Sequence, residues 1–178
     1  MYNEKDIISK WNSEMYDCNE TDTNDVEFAL SVIGVESKRI LEIACGSGRF
    51  LVPMANAGHN VTGLDFDEHM LNRIATKTAS TQNIHWHKSD VINDEWETGF
   101  DVVLLVANFL SNIVSDMDYE QAQELMIKKS KVMFNLTKRQ LICFGLAEVL
   151  YYEPDYKNVT QKLLYEDISY DYFLLGTL

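Results

Sequence analysis

The sequence predicts an α/β fold: a doubly wound, mainly parallel sheet with helices on both faces. Three observations carry this. Strand-like and helix-like stretches alternate from residue 40 to residue 146, the pattern of parallel strands joined by crossover helices. The stretch Ile40–Arg49, I-L-E-I-A-C-G-S-G-R, reads as strand, glycine turn and helix start, which brings backbone N–H groups close to a nucleotide-type ligand. Phe100–Val106 is an apolar run of the kind a central parallel strand needs, buried on both faces.

Taken in order, residues 5–16 form a helix, with Ile7, Ile8, Trp11 and Met15 at helical spacing. Asp17–Asp25 is acidic and turn-rich and reads as a solvated loop. Val26, Ala29, Leu30 and Ile33 form a second helical stripe that Gly34 closes. Ile40–Ala44 is the first strand. The helix of about 48–57 contains Pro53, which fits best in a first turn, so a late start or a kink is expected. His59–Asp65 is the second strand. Asp67 can cap the next helix and Phe66 can staple onto Leu71. Asn83–Lys88 is the third strand and Phe100–Val106 the fourth. Asp118 can start a helix to about Val132, with Tyr119, Ala122, Leu125 and Met126 inside, and Leu141–Leu146 is the fifth strand. The whole is Rossmann-like, and ligands in such sheets lie beyond the carboxyl ends of the strands. Those ends are Ala44–Gly48, Asp65, Asp90 and Val106–Asn108.

At 178 residues the chain is read as one domain: an N-terminal helical lid over 1–35, a binding core over 36–146 and a tyrosine-rich segment over 147–178. Hydrophobic residues make up 46% and charged residues 24%, which is ordinary for a soluble globular protein. The net charge, 15 − 28 = −13, disfavours nucleic acid, since phosphate contacts require Lys and Arg. The one basic cluster, Lys128-Lys129, Lys131 and Lys138-Arg139, reads as the solvated face and end of a helix. Cys18, Cys45 and Cys143 are odd in number and lack C-x-x-C spacing, so neither a disulfide framework nor a zinc site is implied. The start M-Y-N-E-K-D has no signal-peptide character, and the longest apolar runs are far too short for a bilayer. A cytoplasmic location without membrane contact is expected. His85 and His87 share a strand face without a third ligand nearby and read as a surface or packed pair, while Cys45 reads as a packing residue.

The glycine turn discriminates among ligands. A P-loop needs Gly-Lys-Ser/Thr, which is absent. A dinucleotide turn needs a third small residue. Counting from Gly46 puts Leu51 there, and counting from Ala44 puts Arg49 there. Either side chain obstructs a pyrophosphate or the close helix–strand contact, which disfavours NAD and FAD. What remains is Glu42, a small residue at Ala44, and Gly46-x-Gly48, followed by Asp65, 17 residues after Gly48 at the end of the adjacent strand. A carboxylate there can accept hydrogen bonds from both hydroxyls of a ribose.

These segments resemble the class I S-adenosylmethionine-dependent methyltransferases, small-molecule type, over roughly residues 5–135. E-I-A-C-G-S-G-R is similar to their first motif, V-T-G-L-D-F-D-E-H-M-L to the second-strand motif, H-K-S-D-V to the third-strand segment, and F-D-V-V-L-L-V-A-N-F-L to the fourth strand and the substrate-side loop. The resemblance implies S-adenosyl-L-methionine as cofactor. It implies Asp65 at the ribose, Asp90 and the Val91 N–H at the adenine edge, and Phe66 and Met70 against the base. Ala44, Cys45, Gly46, Ser47 and Gly48 would form the turn, whose free N–H groups suit the methionine carboxylate, with Glu42 near the cationic end and Val106 at the fourth strand's end. Trp11 and Tyr16 match a W…YD element that covers the cofactor in many members, with plain helix packing as the alternative. Asn108, Ser111 and Asn112 are the polar candidates on the acceptor side, and no catalytic acid or base is assigned.

The family's sheet ends in an antiparallel hairpin after a glycine-rich turn. Here residues 135–140 read N-L-T-K-R-Q, without glycine, and residues 149–178 hold six of the nine tyrosines. The C-terminal sheet region is therefore expected to be atypical or incomplete. One strand is plausible around Ile168–Leu174 and another at Lys162–Tyr165, either completing the sheet or pairing with a second copy in a homodimer. The leading reading is methyl transfer to a small-molecule acceptor. A non-catalytic cofactor-binding relative and, third, an NAD-type oxidoreductase are the alternatives.

Overall fold

The computed structural model describes residues 4–78, 83–106, 109, 119–132, 140–144 and 173–176. Two helices lead in, α1 (Glu4–Asn19) and α2 (Asn24–Ile33), followed by strand β1 (Arg39–Ile43). Then come α3 (Leu51–Asn56), β2 (Asn60–Asp65), α4 (Glu68–Lys77), β3 (Ile84–Lys88) and β4 (Val102–Leu105). The remaining described elements are α5 (Tyr119–Val132), β5 (Gln140–Phe144) and β6 (Phe173–Gly176). The strands run parallel in the order β3-β2-β1-β4-β5-β6. The winding reverses at β1, so right-handed crossovers place α3 and α4 on one face and α5 on the other.

Central strands are the most apolar, as a doubly covered sheet requires. All four residues of β4 are buried, as are Ile40–Ile43 of β1. On one face Ile40, Val102 and Leu104 pack with Val26, Ala29 and Ile33 of α2, Met54 of α3, and Leu71 and Ile74 of α4. The alternate residues Leu41, Ile43, Val103 and Leu105 project to the opposite face and are equally buried, as are Ala122 and Met126 of α5.

Local chemistry explains most boundaries. Gly34 closes α2 at φ 83° and donates its N–H to Leu30. α3 starts late, at Leu51, which leaves Pro53 in the first turn where its missing N–H costs nothing. Asp67 caps α4, its carboxylate accepting the N–H groups of His69 and Met70. The staple predicted beside it is absent: Phe66 is 69% exposed and lies under the Lys88 ammonium, 5.4 Å from the ring centroid. The acidic loop is shorter than its composition suggests, because Asp17 belongs to α1 and Asp25 to α2, and both carboxylates have cationic partners. Beyond β5, the sixth strand lies parallel to it with Leu141 opposite Phe173; the segment Lys162–Tyr165 falls outside the described residues.

One close approach decides whether the glycine turn can seat on the sheet. A Cβ built on Gly63 of β2 would lie 2.7 Å from Cys45 Sγ and 2.8 Å from Leu51 Cδ2. Gly63→Ala should therefore lower stability by about 1–3 kcal/mol in urea denaturation. Combining it with Cys45→Ala, which removes the nearest atom, should recover part of that loss; strict additivity of the two changes would count against the contact.

Candidate cofactor site at the carboxyl ends of the strands

β1 runs out at Ile43 into a turn with three left-handed residues: Ala44 at φ 56°, Gly46 at 55° and Gly48 at 83°. Ala44 carries a Cβ in that region, at a cost of about 1 kcal/mol that the surrounding packing must hold. A Cβ on Gly46 would meet nothing within 4 Å, so the turn presents an open backbone surface there. Cys45 N–H bonds Leu64 O at 3.0 Å and Gly48 N–H bonds Cys45 O at 2.9 Å.

Asp65, at the end of β2, closes on this turn. Its Oδ2 accepts the Gly46 N–H at 2.7 Å and its Oδ1 accepts the Asp67 N–H at 2.8 Å. The Phe66 N–H adds a third backbone hydrogen bond to the carboxylate, whose remaining acceptor capacity can take an outside donor. Burial raises the Asp65 carboxyl above its ordinary range, against the backbone N–H groups that lower it. The expectation of a turn with free N–H groups for an anion is corrected by this geometry. The amides of Cys45, Gly46 and Gly48 are committed within the protein, to the Leu64 carbonyl, the Asp65 carboxylate and the Cys45 carbonyl in turn.

Glu42 lies beneath. It is 2% exposed, and its Oε2 has no hydrogen-bond partner. Burial raises its carboxyl well above the ordinary range; Arg49 opposes this, and Asp65 adds to it. Two carboxyls raised chiefly by burial thus lie on adjacent strands, a mark of a candidate functional site. Buried Cys45 is pushed the same way by desolvation and the same two acids, so its thiol stays protonated and serves packing.

The N-terminal helices are fastened to this turn by charge. Asp17 Oδ1 accepts hydrogen bonds from Ser47 Oγ at 2.5 Å and Lys77 Nζ at 2.6 Å, and Oδ2 accepts one from Arg73 Nε. Burial alone would raise the Asp17 carboxyl; Lys77, Ser47 and Arg73 outweigh it and hold it below its ordinary value. Arg49 makes a two-pronged pair with Asp25, both contacts at 2.7 Å, and also bonds Tyr16. Farther along α1, Ser9 donates to Asp67, and Asp6 pairs with His69 at 2.7 Å. None of Asp17, Asp25, Arg73 and Lys77 was among the sequence candidates. The sequence signal for Asp17 is its place directly after Tyr16.

Among the sequence candidates, Glu42, Ala44–Gly48 and Asp65 converge, with Tyr16 half-buried beside Arg49. Ser89 N–H bonds Asp65 O at 2.9 Å, which places Asp90 and Val91 at the next strand end. The Asp90 carboxylate is turned into its own loop, where Oδ1 accepts Ile92 N–H at 3.1 Å and Oδ2 accepts the Asn93 side chain at 2.8 Å. Val106 is buried at the end of β4 and Met70 is half-buried on α4. Trp11 stands 67% exposed on α1. Asn108, Ser111 and Asn112 lie outside the described residues. His85 and His87 are exposed, and no group of three metal-ligating side chains occurs among the described residues.

Glu42 gives a test that needs no ligand. Its carboxyl is raised above 4.5 in the folded protein, so the folded state binds the proton more tightly than the unfolded one. That contribution is complete below pH 4.5 and is lost as pH rises through the folded value. The isosteric Glu42→Gln lacks this loss. In thermal melts the variant should gain on the wild type as pH rises, by on the order of 1–3 kcal/mol at alkaline pH; parallel pH profiles would refute the assignment.

Comparison with known proteins agrees with this fold. A family model described as a methyltransferase domain matches residues 40–131. YqeM of Bacillus subtilis, a methyltransferase by assignment, is 32% identical over 143 residues, covering 76% of this chain and 53% of its own length. A Haemophilus influenzae protein without assigned function is 28% identical over 73% of this chain and 50% of its own. The chain thus spans about half the length of these curated relatives. Among solved structures, a TehB-like SAM-dependent methyltransferase from Corynebacterium glutamicum superposes with a TM-score of 0.65 at 19% identity, covering 89% of this chain and 82% of that one. The glycopeptide N-methyltransferase MtfA complexed with S-adenosylmethionine gives 0.57 at 15% identity, over 67% of this chain and 53% of that one. At those identities the structures speak for the fold. No helix among the described residues is long and apolar enough to cross a membrane. With the family model covering half the chain and the strand-end carboxylates in place, the chain belongs to the class I S-adenosylmethionine-dependent methyltransferases.

Proposed function

We propose that the chain binds S-adenosylmethionine at the carboxyl ends of β1 and β2 and directs its methyl group to a small-molecule acceptor. The observation that carries the reading is Asp65 at the end of β2, fixed by the Gly46, Asp67 and Phe66 amides, near a buried Glu42 whose Oε2 lacks a partner. A ribose supplies two hydroxyl donors, and the cofactor's amino acid end and sulfonium supply positive charge. A pyrophosphate would meet the Asp65 carboxylate and a turn whose Cys45, Gly46 and Gly48 amides are already bonded, which supports an adenosine without phosphate over a dinucleotide.

The bound cofactor would bring an already activated methyl group. The work of the protein is then to hold acceptor and donor in line and to exclude water, which can contribute about 7–11 kcal/mol to the rate. Asp65 orients the ribose, the open backbone at Gly46 admits the ligand closely, and the helix α1, tied down through Asp17, covers the turn. The net charge of −13 draws cations toward the site and supports a small, non-polyanionic acceptor.

Calorimetric titration should show binding of S-adenosylmethionine and S-adenosylhomocysteine and none of NAD; the reverse selectivity would end this reading. Asp65→Ala should weaken binding by about 1.5–3 kcal/mol, the scale of one charged hydrogen-bonding group. A cation stabilises the ionised forms of Glu42 and Asp65, whose carboxyls are raised without it. Binding should therefore release protons, and affinity should increase as pH rises through the range where they titrate. Titrations in two buffers of different ionisation enthalpy measure that release, and proton uptake would contradict it.

A further inference from the structure

The sequence places Lys129 in a solvated basic cluster, and the structure does not. Its neighbour Lys128 is 62% exposed and pairs with Glu124 one turn away. Lys129 turns inward across the loop that follows β3. Its Nζ donates to the carbonyls of Val91 at 2.8 Å, Ile92 at 3.0 Å and Asp94 at 2.7 Å. The ammonium also stands 4.6 Å from the ring centroid of buried Trp96. An ammonium has three donors, and here all three are used, with an aromatic face completing the shell. Burial lowers its proton affinity, while Asp94, Asp90 and Glu95 oppose that.

Three carbonyl dipoles aimed at one point repel each other unless a cation lies between them. The donors of the same loop are satisfied separately. The Asp94 carboxylate accepts the Asp90 N–H at 2.8 Å, and Asp90 accepts the N–H groups of Ile92 and Asn93. The Asp90 carbonyl accepts Asn93 N–H at 3.1 Å and Asp94 N–H at 2.8 Å. Because that carbonyl points into the turn and the peptide is trans and planar, the Val91 N–H on its far side points out. Lys129 thus holds the one-turn loop from which the Val91 edge projects, a loop that starts where Ser89 bonds the Asp65 carbonyl.

We propose that Lys129 is a positioning residue for the adenine end of the cofactor: its ammonium gathers the Val91, Ile92 and Asp94 carbonyls and so fixes the edge that reads the base. This rests on the cofactor reading above. It couples α5, on one face of the sheet, to a ligand held at the ends of strands on the other side of the winding reversal.

Lys129→Met keeps the stem against Trp96 and removes the donors. It should fold, with S-adenosylhomocysteine and adenosine each binding about tenfold more weakly, the scale of one charged hydrogen-bonding group. The two ligands should lose affinity by the same factor, because the loss lies at the base. Lys129→Ala should behave likewise and regain affinity with added n-propylammonium, which a loss of general packing would not. Affinities within twofold of wild type in a folded variant overturn the proposal. So does a loss confined to S-adenosylhomocysteine, a loss that n-propylammonium leaves unchanged, or failure of both variants to fold, which would make Lys129 a general structural residue. If the wild type itself binds neither ligand, the cofactor reading falls and takes this inference with it; if the wild type binds and the variants bind equally, this inference alone falls.

Discussion

The hydrogen bond from the Gly46 amide to Asp65, 2.7 Å long, ties the turn after β1 to the end of β2, and much of the site depends on it. It requires a carboxylate at the last position of β2. It requires left-handed backbone at 46, and a glycine at 63 so that Cys45 and Leu51 can fit against the neighbouring strand. It also decides what the turn can no longer do. A donor spent on an internal carboxylate cannot hold an external anion, and the second acid at Glu42 is driven by its burial toward the protonated form unless a cation approaches. The same strand–glycine turn–helix arrangement that elsewhere receives phosphate is here given the opposite electrostatic sign.

Much of this was legible in the sequence. Hydrophobic period and glycine placement located the strands of the core to within about two residues, because parallel central strands have to be apolar on both sides. Gly34, Pro53 and Asp67 fixed helix ends through backbone chemistry that is local and therefore readable. The place of Asp65 at the end of the strand beside the turn followed from spacing, and its ribose role from the family resemblance. What escaped was long-range pairing of charged side chains. Asp17 and Asp25 looked like solvated loop residues because nothing nearby in sequence shows that Arg73, Lys77 and Arg49 will reach them. Phe66 looked like a staple because its spacing to Leu71 was right, but Lys88 from the next strand lies over its ring instead. Lys129 was grouped with its basic neighbours. Yet it lies four residues after Leu125, on the inner stripe of α5, and that periodicity was the available clue. No single stretch marks Gly63, because a close approach is a property of two strands and a turn together.

The two polar arrangements differ in kind. Asp17 gathers three donors from the glycine turn and α4 around one carboxylate, whereas Lys129 gathers three carbonyls around one ammonium. Each is a fully satisfied polar node in which removing the central charge leaves several groups unpaired, and such nodes specify a geometry more sharply than apolar contacts do. They sit at opposite ends of the row of strand ends, one by the glycine turn and one by the loop after β3.

α1 is oriented contrary to the usual amphipathic rule. Ser9, Ser13, Tyr16 and Asp17 face the body, while Ile7, Ile8, Trp11 and Met15 are 43–67% exposed. A helix held this way gains little from water release. Its attachment therefore has a different thermodynamic signature from the core: it should carry almost no heat-capacity change, persist on cooling where apolar contacts weaken, and slacken as ionic strength rises. The cover over the turn is thus tuned by the electrolyte around the protein, independently of whatever stabilises the sheet beneath it.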